Sequence, residues 1–77
     1  MKEIKELIDV TLAWGSGIAD MWTGTQFEKQ IDLQQAQIIK AAEKEDWKKA
    51  ENLTTDLAQF LFYAEEEYAR GQHNQLS

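Results

Sequence analysis

Few residues of this 77-residue chain have types and spacings suited to chemistry, and the first to consider is its single histidine, His73. Acid–base or nucleophilic catalysis needs such a ring held in one orientation beside a nucleophile. His73 stands instead in Gln72-His73-Asn74-Gln75-Leu76-Ser77, a polar run with nothing periodic to anchor it. A solvated tail is the expectation, and no catalytic residue is assigned. Carboxylates are plentiful in Glu65-Glu66-Glu67, but consecutive helix positions diverge by about 100° and do not converge on one ion. No Asp or Glu stands three residues before His73, as the helical carboxylate–histidine metal motif requires. With no cysteine either, neither a metal site nor a cofactor is expected. Gly15-Ser16-Gly17 lacks both the spacing and the lysine of a phosphate-binding loop.

The remaining candidates are surfaces. In Phe60-Leu61-Phe62-Tyr63 the buried stripe of a helix accounts for Phe60 and Leu61, while Phe62 and Tyr63 project roughly 100° and 160° or more away from it. Either the first helix covers Phe62 and leaves Tyr63 half exposed, or both rings belong to an interface, where aromatic residues are enriched. Leu33 also points away from the apolar stripe of its own segment. Leu33, Phe62 and Tyr63 are therefore the candidate apolar anchors for a partner, with Glu65, Glu66 and Glu67 as their charged rim. Trp14, Trp22 and Trp47 lie on or beside predicted stripes, so they default to the core. Three such large rings are many for so short a chain, and self-association into a homodimer is expected to shelter the excess.

Those surfaces must be positioned by helices. Proline is absent and the four glycines fall at 15, 17, 24 and 71. Ile4, Leu7, Thr11, Trp14, Ile18 and Met21 recur at alternating spacings of three and four, which predicts one helix over 2–22 with Ile8 and Trp22 beside the stripe. The phase survives Gly15 and Gly17, although each glycine weakens a helix by about 1 kcal/mol and a break there is the alternative. Gly24 suits the left-handed residue after a helix, and Thr25-Gln26-Phe27-Glu28 matches a capping box. A second helix is predicted over 26–44, its stripe set by Phe27, Ile31, Ile38 and Ala42 and interrupted by Gln34 and Gln35, which need hydrogen-bond partners if buried.

The charged interval Glu43-Lys44-Glu45-Asp46-Trp47-Lys48-Lys49 shifts the apolar phase, and Asp46 is a competent N-cap, so a tight turn is predicted. One unbroken helix from 26 to about 70 is the alternative, because the interval holds no glycine, proline or asparagine. Trp47, Ala50, Thr54, Leu57, Leu61, Ala64 and Tyr68, widened by Leu53 and Phe60, predict a long third helix over 46–70 that ends at Gly71. The fold class is all-α: one domain over 1–77 of three antiparallel amphipathic helices, with 71–77 a frayed polar tail.

Composition agrees and narrows the partners. Hydrophobic residues are 43% and charged residues 29%, a globular balance. A domain of this size buries only about 60% of the surface its unfolded chain exposes, which leaves little room for a catalytic pocket. The net charge of −6 disfavours direct contact with nucleic acid or an anionic membrane. No stretch approaches the roughly 18 apolar residues of a membrane span, and Met1-Lys2-Glu3 lacks the apolar run of a signal peptide, so a cytoplasmic location is expected. Lys40, Lys44, Lys48 and Lys49 gather near the central turn, while Glu3, Glu6, Asp9, Asp20, Asp56 and Glu65 to Glu67 leave both ends of the bundle acidic.

Trp22-Thr23-Gly24, followed by Tyr63-Ala64-Glu65-Glu66-Glu67, resembles the W-x-G turn and the Y-x-x-x-D/E export signal of the WXG100 family of small secreted helical-hairpin proteins. That resemblance implies a single turn near Gly24, an unbroken second helix and secretion. The residues themselves point elsewhere. They describe a non-enzymatic acidic interaction module, an inhibitor or adaptor that masks another protein. Its partner is expected to be basic or nucleic-acid-binding, of the kind that phage or mobile-element anti-defence proteins engage.

Overall fold

A computed structural model describes the backbone over residues 2–76 and the side-chain surroundings over 2–71, so the expectation of a solvated His73 lies outside the described residues. Three helices follow one another: α1 (Lys2–Met21), α2 (Gln26–Glu43) and α3 (Trp47–Leu76). All three pack against each other, and no strand occurs among the described residues. The chain is a small all-α three-helix bundle. Lys5 of α1 reaches Trp47 at the start of α3, and Trp22 reaches Tyr68 near its far end. α1 and α3 therefore run parallel, and α2 returns antiparallel to both. The bundle is 47 Å long, close to the 45 Å or so that the 30 residues of α3 span at about 1.5 Å each.

The three-four spacing of α3 translates directly into its buried line: Ala50, Thr54, Leu57, Leu61 and Ala64 are all fully enclosed. Ile31, Ile38 and Ala41 meet it from α2, and Ile8, Ile18 and Ala19 from α1. The alanines keep the helices close, and the branched residues fill the space between them. Burying one such Ile or Leu stabilises the fold by about 1.5–3 kcal/mol. Thr54 satisfies its hydroxyl by donating to the Ala50 carbonyl one turn earlier, at 2.7 Å, so it sits in the core without an orphaned group.

The face that α1 buries differs from the expectation by about one residue. Leu7 and Met21 are exposed rather than core, and the buried line is Ile8, Thr11, Gly15, Ile18 and Ala19. Gly15 is the reason. Its missing side chain leaves a gap that the Gln35 amide enters from α2, donating to the Leu12 carbonyl at 2.9 Å. α2 thus seats against the Gly15 side of α1 and turns Leu7 outward. One half of the glutamine interruption is answered by this bond; Gln34 Oε1 is buried with no partner among the described residues.

Both turns are set by local chemistry. After α1, Gly24 adopts a φ of +82°, and Thr25 caps α2 by accepting from the Glu28 amide at 3.4 Å. The Glu28 carboxylate reaches back to the Gly24 amide at 2.9 Å, one residue earlier than in the usual box. After α2, the Glu45 amide donates to Ala42 O at 2.9 Å and the Asp46 amide to Ala41 O at 3.0 Å, the paired bonds of a Schellman ending. Glu45 takes the left-handed position at a φ of +59°. Asp46 then caps α3, accepting from the Lys49 amide at 3.3 Å. The chain breaks between α2 and α3, so the single-turn hairpin implied by the WXG100 resemblance is not its architecture. Gly71 does not end α3 as expected; the helix passes through it to Leu76, because glycine weakens a helix interior without forbidding it.

Candidate protein-interaction surface

The aromatic rings of α3 divide between its two flanks. Phe62 leans toward α1, where it meets the Trp14 ring edge-on with centroids 4.8 Å apart. Trp14 covers only one side of it, and Phe62 remains 66% exposed. Tyr63 leans toward α2, 6.0 Å from Phe27 and 6.4 Å from Phe60, and is 53% exposed. Neither ring is enclosed by the three helices. The core line at Leu61 and Ala64 explains this geometry, since Phe62 and Tyr63 fall on the positions that flank the outward side of the same helix.

The acidic rim is next to these rings, but its members are not equivalent. Glu65 accepts from the Trp14 indole at 3.4 Å, which ties it to α1. Glu66 and Glu67 share Arg70, at 2.7 and 3.5 Å within α3. These pairs are exposed and contribute no more than about 0.5 kcal/mol each. Leu33, the remaining expected anchor, is 54% exposed on the outer side of α2, two residues beyond fully buried Ile31. It does not join the α3 rings: the α2 residue beside Tyr63 is Phe27. The structure therefore brings Phe62, Tyr63, Glu65, Glu66 and Glu67 onto one stretch of helix and leaves Leu33 apart.

Behind that stretch is a cluster that sequence reasoning did not assemble. Trp22 stacks on Phe27 at 4.3 Å and meets Tyr68 edge-on at 5.6 Å, while Phe27 lies 5.5 Å from Phe60. The Trp22 indole donates to the Ala64 carbonyl at 3.1 Å. These contacts pin the α1–α2 turn to α3 and hold Tyr63 on its outer edge. All three tryptophans are partly buried against the core. No pattern within one segment could have shown the cluster, because it draws on the α1–α2 turn, α2 and α3.

Two concavities accompany the surface. One, of about 460 Å³, lies at the α2–α3 turn and is lined by Gln37, Lys40, Ala41, Lys44, Asp46, Lys49 and Leu53. Three of its lining residues are lysines, and the only carboxylate among them, Asp46, is engaged in capping α3. The other, of about 260 Å³, is a shallow groove bounded by Gln26, Phe27, Gln30 and Phe60. Among the described residues no cluster of three or more His, Cys, Asp or Glu could hold a metal ion. No described helix is long and apolar enough to cross a membrane.

No known protein family, curated protein or solved structure matches the chain at a significant level.

Proposed function

We propose that this chain is a non-enzymatic, acidic protein-interaction module, an inhibitor or adaptor that acts by masking a surface of a partner protein. The observation that carries the reading is Phe62, a large ring left mostly exposed on a well-packed helix and set one turn from Glu65 and Glu66. An exposed aromatic beside carboxylates fits an anchor that fills a pocket while its rim steers a basic surface into place. The net charge of −6 favours a basic partner such as a nucleic-acid-binding protein, whose groove these carboxylates would occupy in place of phosphates. A cytoplasmic location belongs to the same proposal.

The test is affinity capture from native extract with the wild-type chain and with Phe62→Ala/Tyr63→Ala, read by mass spectrometry. A partner captured by the wild type and lost by the variant, while the circular-dichroism melt is preserved, supports the reading. Capture that is indifferent to both substitutions overturns it.

A further inference from the structure

None of the residues lining the cavity at the α2–α3 turn belongs to the Phe62–Tyr63 surface. The three-residue turn Lys44-Glu45-Asp46 folds the last turn of α2 back against the first turn of α3. The Schellman bonds, and the bond from the Ala50 amide to Asp46 O at 2.9 Å, fix the two helix ends relative to each other. Gln37, Lys40, Ala41 and Lys44 then share one side of the end of α2, and Lys49 and Leu53 line the same space from α3.

The charge of this cavity comes from placement, not from composition. Segment 40–49 is nearly balanced, with four lysines against Glu43, Glu45 and Asp46. Lys40, Lys44 and Lys49 line the cavity with a single carboxylate, Asp46, whereas Glu43, Glu45 and Lys48 do not line it. None of the three lining lysines makes an ion pair among the described residues, although the chain carries 14 acidic residues. Lys40 and Lys44 are one turn apart, a spacing at which like charges repel. An anion that bridges the ammonium groups removes that repulsion.

The lining also selects among anions. Lysine binds phosphate as a point charge, and the Gln37 carboxamide adds a neutral donor. No aromatic side chain lines the cavity, so a nucleobase has nothing to stack on. A long polyanion would run past the cavity onto the remainder of a chain of net charge −6, which repels it, and a compact one would not. The cavity, of about 460 Å³, is within the usual range for a small-molecule site.

We infer that the α2–α3 turn cavity binds a compact oligophosphate, either inorganic or the phosphate end of a small ester, held between Lys40 and Lys44 on one side and Lys49 on the other. The inference goes beyond the interaction reading and does not depend on it.

The test is calorimetric titration of the full chain with inorganic triphosphate at low salt, with ATP, citrate and a short single-stranded oligonucleotide as further ligands. Triphosphate binds, and added salt weakens the complex. Lys40→Gln, Lys44→Gln and Lys49→Gln each weaken it by about tenfold, the loss of one charge-assisted hydrogen bond. Lys48→Gln changes the net charge by the same amount beside the cavity and leaves binding within about twofold. Asp46→Asn keeps a capping oxygen, removes the only lining carboxylate and tightens binding. All of these variants keep the wild-type circular-dichroism spectrum, because the substituted residues are exposed. Triphosphate raises the melting temperature of the wild type and not that of Lys40→Gln/Lys44→Gln/Lys49→Gln. ATP bound as tightly as triphosphate supports the phosphate end of an ester as ligand, and triphosphate bound with ATP excluded supports a free inorganic one. No binding at millimolar triphosphate, a Lys48→Gln loss equal to that of Lys44→Gln, or citrate bound as tightly as triphosphate overturns the site. So does an oligonucleotide that binds more tightly than triphosphate, which would make the turn a nucleic-acid contact instead.

Discussion

Gln35 and Gly15 are matched across the α1–α2 interface: the glutamine amide occupies the space that any side chain at position 15 would fill. A Cβ added there would come within 2.5 Å of Gln35 Nε2, whereas the next atoms, at 3.4 and 3.6 Å, are tolerable neighbours. Two effects then oppose each other in Gly15→Ala. Alanine gains about 1 kcal/mol of helix propensity, and the displaced amide forfeits its bond to Leu12 O, a loss of similar size, about 1 kcal/mol. The single substitution should leave stability within about 0.5 kcal/mol of wild type, and in a Gln35→Ala background the same change should stabilise by about 1 kcal/mol. Urea melts of the four proteins measure the difference. Additive effects would show that the amide does not depend on the glycine.

Gly17 provides the contrast. It lies in the same helix, is exposed, and nothing stands within 4 Å of a Cβ placed there. Gly17→Ala should therefore express the propensity gain without opposition, about 1 kcal/mol, and raise the melting temperature by about 4–8 °C for a domain of this size. An unchanged or lowered melting temperature would mean that α1 does not persist through Gly15-Ser16-Gly17 in solution.

At the α2–α3 turn the strained residue is Glu45, a residue with a Cβ in the left-handed region at a φ of +59°. Residues with a Cβ disfavour that conformation by roughly 1–2 kcal/mol, while glycine adopts it freely at some entropic cost. Glu45→Gly should stabilise the bundle by about 0.5–1 kcal/mol, visible as a higher denaturation midpoint with an unchanged slope. A lower midpoint would indicate that the Glu45 carboxylate has a role in the turn.

The sequence exposed most of this architecture wherever one residue's type decided the outcome alone. The α3 stripe was legible because its core positions repeat without interruption, and Thr25, Gly24 and Asp46 each announced the boundary they form. The orientation of α1 was not, because two apolar stripes lie side by side on it and the choice between them depends on Gln35, 20 residues beyond Gly15. The Schellman ending was hidden for a related reason: its left-handed residue is a glutamate, and the type gives no hint of the backbone. Within the candidate surface, the outward placement of Phe62 and Tyr63 followed from helical phase. Their separation onto different flanks emerged only once α1 and α2 were docked.

Adjacent residues on α3 should separate packing from recognition. Leu61 is fully enclosed, and Leu61→Ala removes buried methyl groups and leaves a cavity, at a cost of about 2–5 kcal/mol. Phe62 makes one edge-on ring contact with Trp14 and is otherwise open to solvent. Phe62→Ala should cost about 1 kcal/mol or less, mostly the lost aromatic pair. The expectation is asymmetric by several kcal/mol although the larger side chain is the one removed at lower cost. Chemical denaturation of both variants, monitored by circular dichroism, measures it directly. A Phe62→Ala loss as large as that of Leu61→Ala would place the ring in the core, and an exposed anchor would no longer be needed to explain why so large an apolar group is kept on that side of α3.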